Sequence, residues 1–202
     1  LPLWQRLAGV SAGVSMPELP ITLLARRQVC GNAVFTVYFD HIRDAAGREV
    51  VDYLSVVPHH HAAGKISGVA VLPIFQGTIG LVRIYRHPLG DFRWELARGF
   101  IDAGEAPAAA ALRELREEMG LSAREASLRP LGTVAPEPGV LDARVQLFLA
   151  EDCTMAKEVS EGDIGHRGVR FFPRAELARL IDDGEIIDPC TLVAGLKYLA
   201  SP

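Results

Sequence analysis

Three glutamates, Glu114, Glu117 and Glu118, stand at i, i+3 and i+4 in a stretch, residues 106–119, that reads as a helix. Successive helical residues turn by about 100°. With Leu112 at zero, Leu115 and Met119 fall within roughly 60° of it and form a buried stripe, and the glutamates fall at about 140–240°, on the opposite face. Carboxylates this close repel, and one of them tends to keep its proton. Hard divalent cations relieve that conflict, and Mg²⁺ usually joins one or two carboxylates to substrate phosphates. Taken alone, a glutamate-rich helix with Arg113 and Arg116 available for pairing reads as a solvated face. The wider spacing decides otherwise: Gly99, five residues, Glu105, seven residues, then Arg113-Glu114-Leu115-Arg116-Glu117-Glu118-Met119-Gly120-Leu121.

This stretch resembles, at all nine fixed positions, the signature of the Nudix hydrolases, G-x5-E-x7-R-E-U-x-E-E-x-G-U with U aliphatic. The resemblance implies a loop-helix-loop lodged in an α/β/α sandwich with a mixed sheet. It also implies Mg²⁺ (or Mn²⁺) held mainly by Glu114 and Glu118, assisted by Glu117 and by the main-chain carbonyl of Arg98. Glu105 and Arg113 would hold the motif together by a salt bridge, and Gly99 and Gly120 would allow the turns at its ends. Nudix enzymes hydrolyse a nucleoside diphosphate linked to another group, which residues outside the signature must select.

Upstream, Ile84-Tyr85-Arg86-His87-Pro88 and Glu95-Leu96-Ala97-Arg98-Gly99 are similar to the "QYR-x-P … ElPaG" stretch of the ADP-ribose and nucleotide-sugar pyrophosphatases. Ile84 replaces the usual Gln and Ala97 the usual Pro; neither change removes a charge. Arg86 takes the place of a substrate-binding arginine, whose guanidinium forks onto phosphate oxygens. Glu95 takes the place of an acidic residue near metal and substrate, and Arg98 lies beside both. Downstream, Pro136-Glu137-Pro138-Gly139 resembles the "sPG" loop of that branch, and residues 183–192 resemble its "GeI-D-x-x-T" segment. The implied reaction is metal-dependent hydrolysis of ADP-ribose or a related nucleoside diphosphate sugar to a nucleoside monophosphate and a sugar phosphate. GDP-mannose, a dinucleotide or a flavin nucleotide are alternative substrates. A nucleotide sensor without catalysis would be expected to lose box glutamates, and all three remain. Related enzymes carry the general base on a mobile loop, matched here by residues 157–163, with Glu161 first, then Glu158 and Asp163; Glu117 is the choice within the box. The branch also implies a homodimer built through N-terminal strands.

Other chemistry is less well founded. His59-His60-His61 sits between Pro58 and Gly64 in a loop, where successive side chains cannot easily face one ion. Cys153 has no neighbouring histidine to activate it.

The elements that must position the motif read as follows. Residues 34–39 and 50–57 form a hairpin about the turn at 44–47. Residues 68–75 and 79–85 form a second pair, and 92–96 a short strand. A loop at 99–105 precedes the helix, which has Pro107 in its first turn and Gly120 as its stop. Strands follow at 131–134, 145–150 and 169–172, and helices at 176–183 and 191–200. A weak helical pattern covers residues 3–10. The division expected is a β-rich dimerisation extension over 1–62 and a Nudix domain over 63–202.

Composition sets the frame. The chain has 202 residues, 49% hydrophobic and 23% charged, enough for one full core. Net charge is -4, which excludes a strongly basic nucleic-acid binder. Three scattered cysteines, without a CxxC pair, suggest a reducing compartment. No apolar run approaches a membrane span, and residues 1–14 lack the pattern of a signal peptide. A cytoplasmic enzyme without nucleic-acid or membrane partners is expected.

Overall fold

The computed structural model describes residues 20–156 and 164–201. Two sheets dominate it. The first is a three-stranded antiparallel meander of β1 (Ile21–Gly31), β2 (Phe35–Asp44) and β3 (Glu49–Pro58). The β2–β3 hairpin is the expected one, and its turn closes where Asp44 accepts hydrogen bonds from the amides of Ala46 and Arg48. The first strand, β1, was not expected.

The second sheet has seven strands. Its central strand is β4 (Ile66–Phe75), followed by β5 (Thr78–Arg86), β6 (Asp91–Glu95) and β7 (Ala97–Phe100). The helix α1 (Pro107–Met119) comes next, then β8 (Leu121–Ser122), β9 (Leu128–Val134), β10 (Arg144–Ala150), β11 (Thr154–Met155), β12 (His166–Phe172), α2 (Arg174–Asp182) and α3 (Pro189–Leu199). The order is β12-β5-β4-β10-β9, with β6 on β5, β7 on β4, and a separate small pair β8–β11. Only β10 and β4 run parallel among the paired strands of this sheet, so it is mixed, as expected.

Helices cover both faces, which is why β4 reads as a continuous apolar run and not as an alternating one. On one side Val69, Val71, Val82 and Phe148 pack with Ala111, Leu115 and Met119 of α1. On the other Ala70, Leu72, Leu81, Leu147 and Leu149 pack with Leu177 and Leu180 of α2 and Ala194 of α3. This is an α/β/α sandwich. The helix α1 starts with Pro107 at its first position and ends on Gly120 at φ 64°, the left-handed stop that favours glycine.

Two expectations change. The segment at 99–105 is not all loop, because Gly99 and Phe100 extend β7 and pair with Val69 and Gly68. The helical wheel also needs rotation: Leu112 is half-buried, and Glu114 and Glu118 lie on the buried side with Ala111, Leu115 and Met119. Hydrogen-bonding partners described below make that burial possible.

The three-stranded sheet leans on the sandwich through β3. The Val56 amide donates to the Val140 carbonyl (2.8 Å) and the Asp142 amide to the Val56 carbonyl (2.9 Å). Phe35 meets Phe100 edge-on at 5.3 Å between ring centroids.

Candidate active site

The corner between β6 and β7 brings the chemistry together. Gly99 must be glycine for a reason of space: a Cβ there would lie 2.0 Å from Oε1 of Glu114. The Glu114 carboxylate therefore rests directly against the main chain of β7. Next to it, the Arg98 amide donates to Oε2 of Glu118 at 2.8 Å. Both glutamates are more than nine-tenths buried. A carboxylate so placed needs compensating partners.

Arg113 supplies several of them. Its Nη1 donates to Glu114 (2.6 Å) and Glu117 (3.1 Å), its Nε and Nη2 donate to Glu105 (3.0 Å each), and Nη2 also reaches the Phe100 carbonyl (2.9 Å). The expected Glu105–Arg113 salt bridge is present, and the same guanidinium also organises Glu114 and Glu117, which spacing alone did not indicate. These carboxylates hold Arg113 firmly protonated, Glu105 first, while Arg113 and then the Asp102 amide hold Glu105 below the ordinary carboxylate range.

Arg86 ends β5 and forks onto Glu95 with bonds of 2.8 and 2.6 Å. Glu95 is buried and both its oxygens serve that fork, so its observed contacts are to arginine: Arg98 Nε also lies 3.5 Å away. The Arg98 guanidinium bonds in addition to Asp188, the residue that caps α3.

Arg86, Arg98, Gly99, Glu114, Glu117 and Glu118 line one cavity of about 510 Å³. Phe35, Pro136 and Leu141 contribute apolar walls from the meander and the 136–143 loop. Sequence reasoning did not select Phe35 or Leu141; no local pattern marks an apolar side chain that reaches the cavity through tertiary contact. Of the expected general bases, Glu117 belongs to this cavity, whereas Glu158, Glu161 and Asp163 lie outside the described residues.

The donor set suits a hard cation. Two buried carboxylates and a third half-buried one face a shared cavity, and oxygen ligands are what Mg²⁺ and Mn²⁺ take. Among the described residues no group of three or more His, Cys, Asp or Glu side chains is disposed to hold an ion by itself. An ion that relies on substrate phosphates for part of its shell needs no such cage.

Of the three loop histidines, His59 is engaged elsewhere. The two ring nitrogens of His59 bond to the Ala33 carbonyl (3.1 Å) and the Thr36 hydroxyl (3.0 Å). Burial pushes the Cys153 thiol up to about 11, which suppresses its thiolate. No helix among the described residues is long and apolar enough to cross a membrane.

Comparison with known proteins agrees with this fold. The model of the NUDIX domain matches residues 64–191. The chain is 34% identical over 194 residues to an ADP-ribose pyrophosphatase of Mycobacterium tuberculosis, covering 92% of this chain and 86% of that one. It is 29% identical over 189 residues to an ADP-ribose pyrophosphatase of Bacillus subtilis, covering 91% and 95%. A crystal structure of an ADP compounds hydrolase superposes with a TM-score of 0.72 at 21% identity, over 91% of this chain and 95% of the other, and so shares the fold. Nudix hydrolases generally use divalent cations, in keeping with the donor set above. With the signature, the sandwich and the matched domain all in agreement, the chain belongs to the Nudix hydrolase family.

Proposed function

We propose that this protein hydrolyses the pyrophosphate bond of ADP-ribose or a related nucleoside diphosphate sugar, with Mg²⁺ or Mn²⁺, releasing a nucleoside monophosphate and a sugar phosphate. The observation that carries this reading is the shared cavity: the box glutamates and two arginines, Arg86 and Arg98, face one space. The names of the relatives from Mycobacterium tuberculosis and Bacillus subtilis support the choice of substrate.

Glu114 and Glu118, with the Arg98 carbonyl and Glu117, are the proposed ion holders. The ion supplies charge neutralisation on the diphosphate and activation of water. Arg86 and Arg98 bind phosphate oxygens, and their planar guanidinium groups suit two oxygens of one phosphate. Glu95 aims Arg86 by holding it along two bonds. Arg113 keeps Glu114 and Glu117 from swinging into solvent. The proton of the attacking water passes to a carboxylate, for which Glu161 ranks first, followed by Glu158, Asp163 and, within the box, Glu117.

The same reading makes residues 1–62 a dimerisation extension beside a Nudix domain at 63–202, the protein a homodimer, and the cytoplasm its compartment. A phosphate-release screen over diphosphate compounds with a coupled phosphatase tests the function. Turnover of ADP-ribose that vanishes in Glu118→Gln supports it. A preference for GDP-mannose, a dinucleotide or a flavin nucleotide would move the substrate, and binding without turnover would make the protein a sensor. A monomer in sedimentation at micromolar concentration would remove the dimer.

A further inference from the structure

Arg98 is held from outside the signature, by a segment about ninety residues further along the chain. Asp188 caps α3: its Oδ2 accepts from the Thr191 amide (2.8 Å) and the Thr191 hydroxyl (2.7 Å). Its other oxygen accepts from Nη1 of Arg98. The Thr191 hydroxyl oxygen in turn accepts from the Leu96 amide at 3.0 Å. Asp188 is 8% exposed and Thr191 1% exposed. The β6–β7 corner is thus gripped twice, by Glu118 of α1 at the Arg98 amide and by Thr191 of α3 at the Leu96 amide.

Capping alone does not require this arrangement. One side-chain oxygen satisfies the cap, and Ser or Asn serves it as well as Asp. A carboxylate adds a charge-assisted bond to the guanidinium. Arg98 lines the cavity that also contains the box glutamates, so its orientation sets where a phosphate can sit. We propose that Asp188 and Thr191 are positioning residues: together they fix the backbone at Leu96 and hold the Arg98 guanidinium toward the substrate phosphates. This rests on the proposed role of the cavity as a pyrophosphate site.

The test compares Asp188→Asn, which keeps a capping oxygen and loses the charge, with Asp188→Ala, Thr191→Val and Thr191→Ser. For ADP-ribose hydrolysis with Mg²⁺, Asp188→Asn should raise KM by about tenfold, the size expected for one lost charge-assisted hydrogen bond, with a smaller change in kcat and near-normal thermal stability. Thr191→Ser should restore what Thr191→Val loses. In an Arg98→Lys background, Asp188→Asn should add little further, because the held group is already gone. The inference is overturned if Asp188→Asn leaves KM unchanged, or if its effect multiplies in full with that of Arg98→Lys. If the wild type does not turn over ADP-ribose, the proposed function fails separately. Nitrogen-15 NMR of the Arg98 side chain then decides the matter: hindered guanidinium rotation in the wild type that is released in Asp188→Asn supports positioning, and identical behaviour in both proteins overturns it.

Discussion

The central strand of one sheet and the edge strand of the other are both rich in aliphatic residues, yet their surroundings are opposite. The first eight residues of β4 are buried, whereas all eleven residues of β1 are exposed. The difference lies in cover. The sandwich carries α1 on one face and α2 with α3 on the other, so its sheet can be apolar throughout. Among the described residues no helix precedes or interrupts the meander, and Leu23 and Val51 are 51% and 68% exposed. It also has a charged pair at its centre: Arg26 forks onto Asp40 with bonds of 2.7 and 2.8 Å, and Ser55 adds a third at 2.7 Å. A one-residue slip of β1 or β3 would turn these partners to opposite faces. The sandwich is specified by packing, and the meander by polar register with its apolar surface left over. Among the described residues, the box glutamates, Arg86 and Arg98 stand on the first, and the second contributes a wall of the cavity.

The largest effect should follow a change in the sandwich's own chemistry. Glu118→Gln keeps the shape and an acceptor for the Arg98 amide but removes a charge from the proposed ion site. Loss of several kcal/mol of transition-state stabilisation corresponds to roughly a thousandfold in kcat. Steady-state kinetics with Mg²⁺ checks it, while an unchanged melting curve shows that the fold survives. Gly99→Ala acts on the same place by volume. The new methyl meets the Glu114 carboxylate, and relief requires that carboxylate or β7 to move. Overpacking of this kind costs about 1–3 kcal/mol. Both stability and activity should fall, which distinguishes it from Glu118→Gln.

This contrast also explains what could be read from the sequence. The candidate site could be picked out because chemistry fixes residue types at fixed spacing: Gly99, Glu105, Arg113 and the three glutamates lie together in the structure. The fit of Gly99 under Glu114 gives one physical reason for the first position. The rotation of α1 was not legible, because Arg113 and the Arg98 amide help Glu114 and Glu118 to be buried, and a helical wheel contains neither. Strand β1, Ile-Thr-Leu-Leu-Ala-Arg-Arg-Gln-Val-Cys-Gly, escaped because an uncovered strand need not alternate. Asp188 drew notice only as part of a resemblance, since its contact with Arg98 joins distant stretches of chain.

Stability should separate the two sheets next. Leu147 is fully buried on β10, and Leu147→Ala should destabilise by about 2–5 kcal/mol in urea unfolding. Leu23→Ala on β1 should change the monomer by less than about 0.5 kcal/mol, as surface substitutions do. If a second copy covers the meander, Leu23→Asp will separate the dimer and lower the melting temperature at low protein concentration. A Leu23→Asp protein that sediments like the wild type would show that β1 is not the covered face.

Acid should reveal the charged partners in both regions. The Arg26 fork holds the Asp40 carboxyl below its ordinary range, and Arg113 does the same for Glu105. Groups with lowered native pKa stabilise the fold fully above their unfolded values, about 3.9 for Asp and 4.3 for Glu. That contribution disappears as pH falls through the lowered native values. Urea midpoints should therefore be insensitive to these two groups between pH 7 and 5 and should drop below about pH 4. Asp40→Asn should remove part of the drop, and Glu105→Gln a separate part. If the two losses are additive, the sheets titrate independently; a shared loss would mean that they are coupled through β3.

A small effect on activity should come from the junction itself. Tyr53 on β3 donates its hydroxyl to the Gly139 carbonyl at 2.6 Å, beside the two main-chain bonds that tie β3 to the 136–143 loop. Pro136 and Leu141 of that loop wall the cavity. Tyr53→Phe removes one partly exposed bond and leaves the main-chain pair intact, so stability should fall by about 0.5–1.5 kcal/mol at most. If β3 only braces the loop, KM should rise slightly with kcat unchanged, because the loop shapes the entrance and carries none of the proposed charge chemistry. A fall in kcat comparable to that of Glu118→Gln would mean that the meander takes part in the chemical step, and the division of labour between the two sheets would have to be abandoned.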